Sequence, residues 1–438
     1  MIAVLIGIVA LLVVGGFGFP LGLSLMIIGY FGFGVMHPKG LDAAGTVAGQ
    51  QVLELALNFQ FAVLPLFLLM GVFVNRSGIS EDLYDAANKW LGHLKGGLAV
   101  STVAACGGFA AVSGSSVATA ATMARVAVPS MRKYKYNDAF SAGTVAAGGT
   151  MGILIPPSAA LIIYGLIAEV NIALLFVAGI VPGLITIAAY MLVIQLVCAV
   201  KPDWGPPGER FSWRERLTSL YKVWGIIFLF FLIMGGIFFG VFTPSEAGGI
   251  GAAGALVFAI ARGRMNWRVF FDSLLEAGKT TAIIFTVAFG ALMLNQFVNI
   301  SGAPEDILSF IQSLNISPWM VLVVVLCCYL VLGMFIEGMA MIFLTVPIFV
   351  PLIVGLGLPI EPDLVLVWFG IVMVMMVEIS LITPPIGMNV FVISSMLPDV
   401  SLKQVFQGIV PFFFADVGRL AIVVAFPSSV LWLVRLTG

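Results

Sequence analysis

Charge is what this 438-residue sequence has least of: Asp, Glu, Lys and Arg make up 9% of it, and the two signs nearly cancel at a net −1. A soluble domain is about one quarter charged, so this composition cannot build an ordinary water-facing surface. The near-zero balance also excludes the basic footprint of a nucleic-acid binder. Histidine occurs twice and cysteine four times. His37 and His93 read as solvated loop residues, and Cys106, Cys198, Cys327 and Cys328 lie in apolar segments without metal-ligand spacing and read as small core residues. No Ser-His or Cys-His catalytic set can be assembled. Gly278-Lys279-Thr280 lacks the upstream glycine of a phosphate-binding loop, since Ser273 stands there, so neither an enzyme nor an ATP-driven pump is expected. The N-terminus has no basic region and no small-residue cleavage site, and its apolar run reads as a retained first membrane helix.

What the sequence does have is apolar length. Hydrophobic residues are 61% of the chain and the mean hydropathy is +1.15. A run of about 20 such residues spans a hydrocarbon core, and runs near that length recur throughout, leaving room for roughly a dozen embedded helices.

An internal similarity organises them. Residues 73–83 read Phe-Val-Asn-Arg-Ser-Gly-Ile-Ser-Glu-Asp-Leu and residues 297–307 read Phe-Val-Asn-Ile-Ser-Gly-Ala-Pro-Glu-Asp-Ile, seven of eleven positions being identical at an offset of 297 − 73 = 224. Pro20 answers Pro244 at the same offset, Val128-Pro129 answers Val350-Pro351, and Pro156-Pro157 answers Pro384-Pro385. Polar matches of this kind are hard to obtain from lipid-facing composition alone. Lys89, Lys95, Arg132, Lys133 and Lys135 flank segment 97–131, whereas the corresponding flanks in the second copy, 307–318 and 354–363, hold no Lys or Arg. Basic residues collect in cytoplasmic loops, so the two copies are expected to face opposite sides, with the N-terminus in the periplasm. The expected fold is an all-α polytopic membrane protein of two inverted-topology repeats, 1–221 and 222–438.

Segment 97–131 has basic flanks at both ends and is expected to enter and leave on one side as a re-entrant hairpin, broken at Ser113-Gly114-Ser115-Ser116. The second hairpin is expected at about 319–353, broken at Phe335-Ile336-Glu337-Gly338. The two Pro-Pro steps remove consecutive N–H donors and should break helices at about 138–170 and 363–397. A helix restarting beyond such a break offers free N–H groups to an anion, while the carbonyls left behind suit a cation.

Few polar residues lie near these breaks. Ser113, Ser115, Ser116 and Thr119 lie at the first tip and Ser158 opens the helix after the first Pro-Pro; the second half supplies Glu337, Gly338, Thr345, Thr383 and Asn389, with Glu378 shortly before Thr383. Ser116, Thr119, Ser158 and Asn389 are the candidates for meeting a substrate anion. Glu337 and Glu378 are candidate cation or proton sites, because an intramembrane carboxylate is costly unless it meets a cavity, a cation or a proton path. Neither has a cationic partner on its own helix. Arg125 is expected to snorkel to the cytoplasmic face, and Asp416 and Arg419, three apart on the last expected helix, to neutralise each other. Thr243-Pro244-Ser245-Glu246 reads as a capping box opening a helix to about residue 261.

Four of these stretches, Ser113-Gly114-Ser115-Ser116-Val117-Ala118-Thr119-Ala120, Gly152-Ile153-Leu154-Ile155-Pro156-Pro157-Ser158, Gly240-Val241-Phe242-Thr243-Pro244-Ser245-Glu246-Ala247 and Glu378-Ile379-Ser380-Leu381-Ile382-Thr383-Pro384-Pro385-Ile386-Gly387-Met388-Asn389, occur in an order that resembles the DctM-type large permease of tripartite ATP-independent periplasmic (TRAP) transporters. The resemblance covers essentially the whole chain. It implies a two-hairpin elevator fold in the bacterial inner membrane, Na⁺ as coupling ion with no cofactor, and uptake of a small organic anion, a carboxylate or sulfonate. It also implies two protein partners, a periplasmic substrate-binding protein (DctP-type) and a small four-helix membrane subunit (DctQ-type), the latter expected as a separate polypeptide. The family's sodium sites map onto Ser115, Ser116, Gly152 and Pro156, and onto Gly338, Thr383 and Met388. The rival expectation is a stand-alone ion-coupled carboxylate transporter that needs no binding protein.

Overall fold

The computed structural model describes residues 2–314 and 316–436. Every regular element in it is helical. The chain opens with α1 (Ile2–Gly16), α2 (Leu21–Met36) and α3 (Gly40–Leu57), and a 3-10 turn (Phe59–Ala62) leads directly into α4 (Val63–Arg76). Then come α5 (Ile79–Leu91), α6 (Gly97–Ser113), α7 (Ser116–Lys133), α8 (Asp138–Thr150), a 3-10 turn (Met151–Ile153), α9 (Ala159–Ile167) and α10 (Ile172–Val200). Beyond a 3-10 turn at Pro202–Trp204 lie α11 (Trp213–Phe238), α12 (Pro244–Ala261), α13 (Trp267–Ile300) and α14 (Ala303–Ser313). The remaining helices are α15 (Pro318–Gly333), α16 (Gly338–Gly355), α17 (Pro362–Ser380), α18 (Met388–Met396), α19 (Leu402–Ala425) and α20 (Ser428–Val434).

Among the described residues, eight helices or helix-plus-turn segments are long and apolar enough to cross a membrane, and α2, α6 and α15 are shorter apolar helices. The chain is a multi-pass membrane protein. Its surface agrees, since α11 and α13 expose Trp224, Phe228, Phe231, Trp267, Phe271 and Ile283, side chains that an aqueous surface would not carry in such density.

Local chemistry sets the helix ends. Thr243 accepts from the Glu246 backbone while the Glu246 carboxylate accepts from Thr243, and this capping box starts α12; Ser212 with Glu215 and Ser401 with Gln404 start α11 and α19 in the same way.

Several expectations differ from the observed fold. The helix carrying Asp416 and Arg419 is followed by one more, the short α20. Cys327 and Cys328 are exposed, because α15 buries Val325, Leu326 and Tyr329 on its other face; Cys106 and Cys198 are buried as expected. His93 is half-buried, with an Nδ1 that has no partner among the described residues, whereas His37 Nδ1 accepts from the Lys39 backbone at 3.1 Å.

Two packing groups position the interruptions. In one, α13 lies along α2 and α4, and α12 lies along α4. In the other, α8 sits among α6, α7 and α19, and α17 packs on α15, α16 and α19. The short helices beyond the Pro-Pro steps cross between distant parts of the chain. α9 packs on α16 and α17, and α18 packs on α7 and α8. Tyr164 on α9 fixes its crossing by donating to the Leu366 carbonyl at 2.7 Å, and Trp368 on α17 donates to the Val423 carbonyl at 3.0 Å.

Candidate functional site

The first helix tip is built by three side chains and a glycine. Gly114 ends α6 with φ +61°, a left-handed conformation that an L side chain rarely adopts. Ser115 then caps α7, its hydroxyl accepting from the Ala118 backbone at 3.3 Å. Thr119, fully buried, donates to the Ser115 carbonyl at 2.7 Å and pairs with the Ser113 hydroxyl at 2.9 Å. These bonds use up Thr119. The Ser116 hydroxyl, by contrast, makes no hydrogen bond among the described residues.

This tip rests on the first Pro-Pro region. A Cβ on Gly152, in the 3-10 turn after α8, would come within 2.8 Å of the Ser116 nitrogen and nearer still to the Ser115 carbonyl, so only glycine lets the two backbones approach. A Cβ on Gly114 would lie 3.0 Å from the Pro157 carbonyl. Ser115, Ser116 and Gly152 are thus brought together, with Pro156-Pro157 alongside; that peptide bond is cis, as is Pro384-Pro385. Ser158, fully buried, donates to the Ile153 carbonyl and accepts from the Leu161 backbone at 3.4 Å, so its hydroxyl closes the break and starts α9.

The second interruption has a different local build. Glu337 is the N-cap of α16 and accepts from the Ala340 backbone at 3.0 Å, a use of its carboxylate that the positive helix end favours. The positions where Cβ atoms on Gly333 and Gly338 would stand are occupied by Ser380 and Val377, so this tip packs on the C-terminal turn of α17. Thr383 donates to the Ile379 carbonyl at 2.6 Å. The Leu381 and Thr383 carbonyls both lie 3.2 Å from the Cβ position of Gly387, immediately before Met388. Converging backbone carbonyls are the donor set that a hard monovalent cation takes. Among the described residues there is no group of three or more His, Cys, Asp or Glu side chains arranged to hold a metal ion.

Asn389 joins the two regions. Fully buried on α18, it donates through Nδ2 to the Ala146 carbonyl of α8 at 3.3 Å, while its Oδ1 has no partner among the described residues. An unpaired buried amide oxygen is costly, and it can accept from a ligand or touch a cation.

Glu378 has a cationic partner after all, supplied by another helix. Arg419 on α19 donates through Nη2 to Glu378, through Nε to Asp416 at 2.8 Å and through Nη1 to Thr186 at 2.5 Å. Tyr190 donates to Asp416 at 2.8 Å and Thr150 to Glu378 at 3.1 Å. All of these side chains are at most 2% exposed. The network ties the last turn of α8 to the last turns of α17, just ahead of both breaks. The sequence pairs Asp416 with Arg419 by their spacing, but carries no signal for Thr150, Thr186 or Tyr190.

The family described as "Tripartite ATP-independent periplasmic transporter, DctM component" matches residues 6–429. The chain is 40% identical over 79% of its length to the C4-dicarboxylate TRAP transporter large permease protein DctM of Pseudomonas aeruginosa, of which the match covers 79%. It is 31% identical over 96% of its length to the sialic acid TRAP transporter large permease protein SiaM of Vibrio cholerae, of which 95% is covered. The crystal structure of the Alcanivorax borkumensis YdaH transporter shares the fold, with a TM-score of 0.60 at 14% identity over 90% of this chain and 89% of that one. The chain therefore belongs to the DctM family of TRAP transporter large permeases, and is a transporter component, not an enzyme.

Proposed function

We propose that this permease takes up a small organic anion, a carboxylate or sulfonate, across a bacterial inner membrane, driven by Na⁺ and moving by an elevator-type exchange of access. Its anion arrives from a periplasmic substrate-binding protein, and a small four-helix subunit completes the membrane complex. The P. aeruginosa relative's name makes a C4-dicarboxylate the first compound to assay. In this reading the chain is two inverted repeats, α6–α7 and α15–α16 are the re-entrant hairpins, and the loop after α7 faces the cytoplasm.

The observation that carries the proposal is the seating of the Ser115-Ser116 tip on Gly152 and of Gly114 on Pro157. The N-terminus of α7, with a free Ser116 hydroxyl, lies against Gly152 in the turn that interrupts the chain after α8, which supports a reading with anion-binding and cation-binding groups side by side. Ser116 and the orphaned Asn389 Oδ1 are the groups left for substrate. Ser115, Ser116, Gly152 and Pro156 at the first break, and Gly338, Thr383 and Met388 at the second, supply the Na⁺ ligands, largely backbone carbonyls. Thr119, Ser158 and Glu337 act by shaping the tips and the break, and Glu378 is neutralised within its own network.

The test is uptake of succinate into liposomes containing the permease with both protein partners, under a sodium gradient and, separately, a proton gradient. Uptake should need Na⁺. Transport driven by protons alone and indifferent to Na⁺ rejects the coupling, and robust transport by the chain without partners rejects the tripartite assembly.

A further inference from the structure

A cavity of about 350 Å³ opens where the second half of α7 meets the end of α18, lined by Ala124, Arg125, Val128, Pro129, Met396 and Leu397, with Arg132 at its edge. Arg132 is committed: it pairs with Asp138 at 2.8 Å and with Asp399 at 2.6 Å. Arg125 is not. It is exposed and makes no ion pair or hydrogen bond among the described residues, although a guanidinium has five N–H donors to satisfy. Pro129 cannot donate to the Arg125 carbonyl one turn earlier, which loosens α7 at the cavity wall.

The position of this cation gives it meaning. α7 begins at the Ser116 tip and α18 begins beyond the second Pro-Pro step, and the two helices pack together. Arg125 lies nine residues from Ser116, about 13 Å along the helix. The cavity therefore lies between the same two helices, further along α7 from Ser116. A snorkelling side chain would only need to reach water, whereas Arg125 also lines an open cavity large enough for a small organic acid.

We propose that Arg125 forms a second anion site, a release station that receives the carboxylate or sulfonate group of the transported compound at the cytoplasmic mouth of the α7–α18 seam. The ligand class and the side of the membrane rest on the proposed function, but the cation and its cavity do not. Arg125 attracts the anion after it leaves the tip, and one solvent-exposed guanidinium holds it weakly enough for departure.

The site can be probed without transport, in nanodiscs of zwitterionic lipid carrying the full chain with Cys327→Ser and Cys328→Ser. Met396→Cys places a thiol in the cavity wall. Its labelling by 2-sulfonatoethyl methanethiosulfonate and by the trimethylammonium analogue is measured with Arg125 present and in Arg125→Gln and Arg125→Lys. Arg125→Gln should slow the anionic reagent about fourfold and speed the cationic one, the effect of one unit charge about 5 Å away in a water-accessible site, and Arg125→Lys should restore both rates. Succinate, but not uncharged succinamide, should protect the thiol, and only when residue 125 is basic. Rates indifferent to residue 125, or succinate protection that survives Arg125→Gln, overturn the inference. Protection by added phosphatidylglycerol with none by succinate overturns it as well and makes the site a lipid headgroup contact. Failed uptake with these labelling results intact would sink the proposed function and leave the anion site standing.

Discussion

Arg419 on α19 donates to Glu378 on α17 while holding Asp416 on its own helix, so that one buried guanidinium answers two buried carboxylates. Taking charges out of water is expensive, and the arrangement survives because Tyr190, Thr150 and Thr186 satisfy the remaining polar positions. Removing one partner is much worse than removing all. Arg419→Met should cost about 3–5 kcal/mol and lower the apparent Tm of the detergent-purified protein. Adding Glu378→Gln and Asp416→Asn should restore most of that loss. A triple variant no more stable than the single one would show that the ion pairs do not account for the effect.

Gly152 allows the tip of α7 to seat on the turn after α8. Gly152→Ala should overpack this contact, costing about 1–3 kcal/mol, and should raise the sodium concentration needed for half-maximal uptake. Sodium-activation curves that superimpose on wild type would separate this contact from ion binding.

Ser116 and Thr383 differ in how their hydroxyls are used, the first free and the second donating to the Ile379 carbonyl. Deleting either leaves little cavity, so Ser116→Ala and Thr383→Ala should keep the wild-type Tm within a few degrees. Each should raise half-saturating Na⁺ by about threefold to tenfold, the equivalent of roughly 0.7–1.4 kcal/mol. Thr383→Ser should behave like wild type. Lost thermal stability with unchanged sodium activation would assign these residues to packing alone.

Lys133, the last residue of α7, and Pro359, in the loop after α16, are exposed. In a background lacking Cys327 and Cys328, Lys133→Cys should react with a membrane-impermeant maleimide only from the cytoplasm and Pro359→Cys only from the periplasm. Labelling of both from one side would remove the inverted arrangement.

Helix interruptions were the most legible feature of the sequence, because each has a local chemical cause. Gly114 followed by a capping serine, and consecutive prolines at 156–157 and 384–385, stop a helix whatever surrounds them, and α7, α9 and α18 begin just beyond them. The capping box at Thr243 placed the start of α12 for the same reason. Side-chain roles were less legible. Glu337 and Ser158 stood out as rare polar residues near breaks, yet the first caps α16 and the second closes a turn. Glu378 looked unpartnered since its cation is 41 residues away on a different helix. Arg125 is exposed, as a snorkelling residue would be, but the cavity beside it is not legible in the sequence because its other wall comes from α18, which begins 388 − 125 = 263 residues further along.

The crossing of α9 onto α16 and of α18 onto α7 sets the order in which the molecule can be completed during synthesis. α9 leaves the ribosome with its apolar face formed, but the surface it must cover on α16 begins 338 − 167 = 171 residues later. At about 5–20 residues per second, that is a wait of roughly ten to thirty seconds. Throughout it, Leu161, Ile162 and Tyr164, all buried in the finished protein, face lipid or the insertion machinery instead. Neither half of the chain can reach its final packing by itself. A polypeptide cut in the loop after α10 should therefore remain unfinished until the second piece arrives in the same membrane.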